Sequence, residues 1–219
     1  YNYWGPADYT QSVGYAGVVA FTLAGLGVIS SYKKKAVKLG TTWVIVSLIA
    51  AFDSPLSRLI YQNGFLASQA SSSHRIMVLM NLGVAILAGF GLEYLMFNKP
   101  TFKQIIRSAY LPGIVLSAFI ISTLGLLIYL DSGKMHANLI VGIRNLVLPT
   151  AFLLSAIFIM LLRKYNLSPK LTAAFFILLT AAELFRFGWK FTPFTDKQLI
   201  FPTTPVLEYL QKQTPPFRV

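Results

Sequence analysis

Apolar runs long enough to cross a bilayer recur along this chain, and they fix its solvent before any chemistry is considered. A helix rises ~1.5 Å per residue, so about 20 residues cross a hydrocarbon core of ~30 Å. Val13–Ser31, Ile76–Phe97, Ala109–Leu130, Leu146–Leu162 and Leu171–Gly188 meet or approach that length, and Thr41–Phe52 adds a shorter sixth run. With 55% hydrophobic residues, the chain reads as all-α: a polytopic transmembrane helix bundle of about six spans whose first partner is the lipid bilayer.

Lys and Arg are distributed unevenly between the connections. Lys33, Lys34, Lys35 and Lys38, then Lys99, Lys103 and Arg107, then Arg163, Lys164 and Lys170 follow spans one, three and five. The alternate connections hold only Arg58, Arg75, Lys134 and Arg144, and the first twelve residues hold no base. By the positive-inside rule the Lys-rich loops are cytoplasmic and both ends of the chain are extracytoplasmic. The net charge of +12 is then mostly a topology signal. The bases sit at span ends and form no stripe on a soluble face, which argues against nucleic acid as a partner.

The chain has no initiator Met and begins with a polar, aromatic stretch, and it stops at Pro215-Pro216-Phe217-Arg218-Val219. The expectation is a piece of a longer protein, with residues 1–190 forming part of a membrane domain. Residues 191–219 would be an external linker and a short amphipathic helix leading to a further extracytoplasmic domain. Thr204 is placed to cap that helix and Pro205 to open it, with Val206, Leu207 and Leu210 as its apolar stripe. Zero Cys and two His give no basis for a thiolate or His-rich metal site, and no cofactor is identified.

Thr41–Phe52 alone covers only ~18 Å. The apolar pattern resumes after Asp53-Ser54-Pro55, so the expectation is a helix broken near Pro55 and continued to about Tyr61. Asp53 and Arg58 would then lie near the outer leaflet. Asp53 either caps the restarted helix or lines a wet cavity. Glu93, near the end of its span, can snorkel to the interface or meet Lys99.

Glu183 falls ~18 Å into its span, with Arg186 three residues on and Lys190 a turn beyond. A charge at that depth costs ~2.5–3.5 kcal/mol on insertion scales, so Glu183 is expected to face the bundle and pair with Arg186. The pair would be either a structural clamp or the lining of an external anion cavity. The Ser-rich loop ending in His74-Arg75 could cradle phosphate at a helix start, or Arg75 could anchor the helix at the interface. Gly83, Gly89 and Gly91, with Ala85 and Ala88, predict close helix packing.

Four stretches in order resemble the bacterial YfhO-like integral membrane proteins. They are Gly14-Tyr15-Ala16-Gly17, the run from His74-Arg75 through Asn81 to Gly91, Ala182-Glu183-Leu184, and Phe201 to Leu210 before Phe217-Arg218-Val219. That family is similar to glycosyltransferases of the GT-C type. The resemblance implies an enzyme of the bacterial plasma membrane that moves a sugar from a polyprenyl-phosphate carrier to an envelope polymer on the outer face. Its acidic base would lie upstream of this sequence, so no residue here is assigned as catalytic. The resemblance implies that Arg75 holds the carrier phosphate, through the two parallel bonds a guanidinium can offer. His74, Arg58, Asp53, Glu183, Arg186 and Lys190 complete the candidate substrate-binding set. The competing readings are a transporter or flippase of a lipid-linked or anionic substrate and a noncatalytic envelope-assembly scaffold.

Overall fold

The computed structural model describes residues 14–51, 55, 57–58, 76–129, 134–189 and 209. All regular structure among them is helical: α1 (Val18–Ser31), α2 (Lys35–Ala51), α3 (Met77–Phe97), α4 (Phe102–Tyr129), α5 (Lys134–Lys164) and α6 (Pro169–Trp189). Segments of α3 to α6 are long and apolar enough to cross a membrane, whereas α1 is a shorter apolar helix of 14 residues. The chain divides into two compact units, Tyr1–Leu184 and Phe185–Val219. The first unit holds α1 to α5 and α6 as far as Leu184, and the second begins with the last residues of α6.

α1 packs on α3 and also touches α4 and α5, α2 lies against α3, and α4 lies against α5. The α1–α3 contact is backbone on backbone. A Cβ on Gly27 would fall onto the Leu87 carbonyl oxygen, and one on Gly91 onto that of Leu23. On a second face of α1, a Cβ on Gly25 would stand 2.8 Å from the Ser108 carbonyl oxygen of α4. Small residues allow this approach in a solvent that supplies little hydrophobic drive between helices. Gly83 is part of the same architecture, since a Cβ there would stand 2.8 Å from the Gly40 carbonyl oxygen. Gly89 and Ala85 are not, because both are exposed.

α6 is held mainly through side chains. Thr172, Phe176 and Glu183 are its buried residues, and their spacing of four and seven places them on one face. Phe176 is fully buried with Leu26, Leu95, Ile105 and Met160 in the largest apolar cluster.

Several boundaries differ from those expected of the sequence: α4 starts at Phe102 rather than Ala109, and α5 starts at Lys134 rather than Leu146, so Lys134 and Arg144 lie in a helix and not in a connection. α2 gains its length at its own start, from Lys35 rather than Thr41, where Lys35 and Lys38 are exposed and long stems can carry ammonium groups to the interface. Pro55, Ser57 and Arg58 are helical; the residues on either side of Pro55, where the sequence predicts the break, lie outside the described residues. α1 starts at Val18, five residues after the apolar run begins. Its N-cap, Gly17, has φ 87°, a conformation that favours glycine. The expected amphipathic helix near Thr204 also lies outside the described residues, except Tyr209, which is helical and exposed.

The ends of α1, α3 and α5 gather at one end of the bundle. Lys34 donates to Glu93 at 2.9 Å, and Lys99 donates to the Asn166 side chain. Glu93 therefore meets Lys34, not Lys99. Local capping shapes this end. Thr101 and Gln104 form a reciprocal capping box at the start of α4. α5 closes in a Schellman turn, with the Leu167 N–H on the Leu162 carbonyl and Asn166 at positive φ. Ser168 then caps α6 through the Leu171 N–H, with Pro169 in the first helical position.

Candidate functional site

At the opposite end, Glu183 is 2% exposed, and its carboxylate closes the start of α1. One oxygen accepts from the Tyr15 hydroxyl at 2.6 Å and from the Val18 N–H at 2.7 Å. The other accepts from the Val19 N–H at 3.0 Å. Val18 and Val19 are the first two helical residues, whose N–H groups have no partner within their own helix. The positive end of the helix dipole favours an anion at that place. The bonds are charge-assisted and sit in a low-dielectric setting that makes unpaired donors costly.

Gly17 makes the approach possible in two ways. Its positive φ turns the chain into α1, and a Cβ there would stand 3.0 Å from the nearer Glu183 oxygen. Gly14 lies against the start of α3, where its Cβ would be 3.0 Å from the Met77 sulfur. Gly14-Tyr15-Ala16-Gly17 and Ala182-Glu183-Leu184 are far apart in the sequence. They form one hydrogen-bonded unit that joins α1 to α6.

The carboxylate's partners are thus backbone and phenol from α1, whereas the sequence suggested Arg186. Arg186 is exposed and lies in the last turn of α6, where a cation complements the negative end of the helix dipole. With both oxygens committed to α1, Glu183 is built to fasten helices. Its burial at 2% exposure, as much as its three hydrogen bonds, keeps a substrate from the carboxylate. Arg58 is helical and exposed. Asp53, His74, Arg75 and Lys190 lie outside the described residues, so the phosphate-cradle expectation at His74-Arg75 and the outer-leaflet placement of Asp53 do as well. Among the described residues, no group of three or more His, Cys, Asp or Glu could hold a metal ion.

Arg163 is the counterpart of Glu183 at the other end. It is 7% exposed and donates from Nε to the Leu95 carbonyl at 2.7 Å and from a terminal nitrogen to the Leu167 carbonyl at 3.1 Å. A buried cation therefore satisfies a carbonyl in the last turn of α3, matching the sign of that helix end. From the sequence Arg163 counts only as a loop base. The sole sequence hint of its structural role is its place just before the Asn166 turn. Two buried polar atoms among the described residues, Ser47 Oγ and Asn81 Oδ1, have no hydrogen-bond partner.

No family model matches this chain, and neither a curated protein nor a solved structure matches it.

Proposed function

We propose that this bundle is the membrane-embedded portion of a glycosyltransferase. It would take a sugar from a polyprenyl-phosphate carrier at the end opposite the Lys-rich loops and pass it to an envelope polymer. One observation carries the reading beyond sequence resemblance. Three of the four resembling stretches converge at that end: Gly14–Gly17, Glu183, and the start of α3 at Met77. Arg75 precedes that helix start by two residues. In this reading the Glu183 clamp holds α1 and α6 so that the outer end stays fixed, and Arg75 supplies the cation for the carrier phosphate. The uneven Lys and Arg distribution supports this orientation, with the Lys-rich end cytoplasmic and the Gly14–Glu183 end outside.

A transporter reading built on Glu183 as a midplane substrate site is weaker, because the carboxylate is buried and accepts three hydrogen bonds at the start of α1. In the full-length protein, Arg75→Gln is expected to weaken binding of a polyprenyl-phosphate sugar by about 1.5–3 kcal/mol, the worth of a hydrogen bond to a charged group. Thermal unfolding should hardly change. Arg75→Lys should recover part of the affinity, since a point charge cannot reproduce a guanidinium fork. Donor affinity unchanged in a folded Arg75→Gln protein would remove the phosphate role and leave Arg75 an interfacial anchor.

A further inference from the structure

The apolar window of α4 lies outside the protein interior. Along its outer side runs an open groove of about 570 Å³. Ile106, Tyr110, Gly113, Ser117 and Ile121 of α4 line it together with Ile157 of α5. Their spacing of three or four residues along α4 is one helical stripe. From Ile106 to Ile121 the stripe covers about 22 Å at the helical rise, more than the ~15 Å of one leaflet's hydrocarbon. The floor is formed where Gly113 has no side chain: a Cβ there would meet only the Leu153 methyl, at 4.0 Å.

The mouth of the groove is cationic. Lys103 continues the same stripe one turn before Ile106, and Arg107 flanks it one turn before Tyr110 and Leu111. Both are exposed. Lys164 of α5 lies 5.5 Å from the centre of the Phe102 ring, next to Lys103. α4 contains no Asp or Glu to neutralise them. All three cations stand at the end where α3 closes and α4 begins, the Lys-rich end.

We infer that this groove is a binding site for an anionic glycerophospholipid of the leaflet at the Lys-rich end. One acyl chain would lie along the Ile106–Ile121 stripe, and the headgroup phosphate would meet Lys103 and Arg107. Charge complementarity selects the occupant. An apolar groove alone would take any chain, but two exposed cations at its head favour a net negative headgroup over a zwitterionic one by about fivefold each, taking ~1 kcal/mol per basic residue near a membrane surface. The site is at the end opposite the proposed sugar-donor end, so it stands or falls independently of the transferase reading.

The test is native mass spectrometry of the full chain released from nanodiscs of equal phosphatidylglycerol and phosphatidylcholine, with thermal unfolding measured in parallel. The wild type should retain one phosphatidylglycerol in strong preference to phosphatidylcholine. Lys103→Gln and Arg107→Gln should each lower that preference about fivefold without changing unfolding, since both side chains are exposed. Gly113→Leu should fill the groove and abolish the retained lipid of either type. Equal retention of the two lipids by the wild type would overturn the proposal. So would an unchanged preference in the Lys103→Gln/Arg107→Gln double variant, a retained polyprenyl phosphate in place of phospholipid, or full retention in a folded Gly113→Leu protein.

Discussion

Gly91→Ala should destabilise the bundle by about 3 kcal/mol or more, at or above the upper range for overpacking. The added methyl falls onto the Leu23 carbonyl oxygen, and backbone cannot step aside as the end of a flexible side chain can. Gly27→Ala should do the same from the other helix, through Leu87. Two packed helices would have to separate, and α1 is the helix on which α3, α4 and α5 all converge. Gly89→Ala is the matched control: it lies two residues away on the same helix, with nothing within 4 Å of its Cβ. It should be neutral or stabilising by up to ~1 kcal/mol, because alanine is the better helix former. Unfolding in a graded mixed-detergent titration reads all three. Equal behaviour of Gly89→Ala and Gly91→Ala would mean that the helices do not meet as described.

Replacing Glu183 should be the next most damaging change. Glu183→Leu removes the shared acceptor of the buried Val19 N–H and of the half-buried Val18 N–H and Tyr15 hydroxyl, at ~1–3 kcal/mol for the buried donor and less for the other two. A loss of about 2–5 kcal/mol is expected, with faster amide exchange at the start of α1. Glu183→Gln should lose less than Leu, since one oxygen remains, but its NH₂ would face a donor where the second oxygen had accepted. Tyr15→Phe removes one bond and should cost about 1 kcal/mol. Arg186→Gln should cost under ~0.5 kcal/mol, as is usual for an exposed side chain. If Arg186→Gln proved as harmful as Glu183→Leu, the clamp on α1 would not be the main role of the carboxylate.

The difference between what the chain announces and what it conceals comes from range. The helical membrane class is legible because hydropathy and span length are local properties. Gly83 and Gly91 are legible as packing residues, yet Gly89 has the same identity and similar spacing and packs on nothing. Composition marks a small residue, but only the neighbour's approach decides its use. That Glu183 faces the bundle is readable from its depth. Its partners are not, because they are backbone N–H groups and a phenol 164 to 168 positions earlier. A nearby cation at three-residue spacing is the visible candidate, and a helix terminus carries no side-chain signature. A glycine within the first turn or so of an apolar run, as at Gly17, is the available hint of a cap supplied from elsewhere. Arg163 misleads for the opposite reason: loop position suggests solvent, whereas the turn at Asn166 folds it back onto α3.

Sugar transfer at the outer face requires the Gly14–Glu183 end of the bundle to face outward. The 219 residues contain no Cys, so single cysteines can be placed in a background from which any other cysteine has been removed. Lys33→Cys, at the exposed Lys-rich end, and Ser72→Cys, in the connection before α3, can be introduced singly into the full-length protein. Each is labelled in intact cells with a membrane-impermeant maleimide, then again after permeabilisation. The cysteine at position 72 is expected to react in intact cells, and the one at position 33 only after permeabilisation. The reverse pattern would place the Gly14–Glu183 end in the cytoplasm and contradict sugar transfer at the outer face.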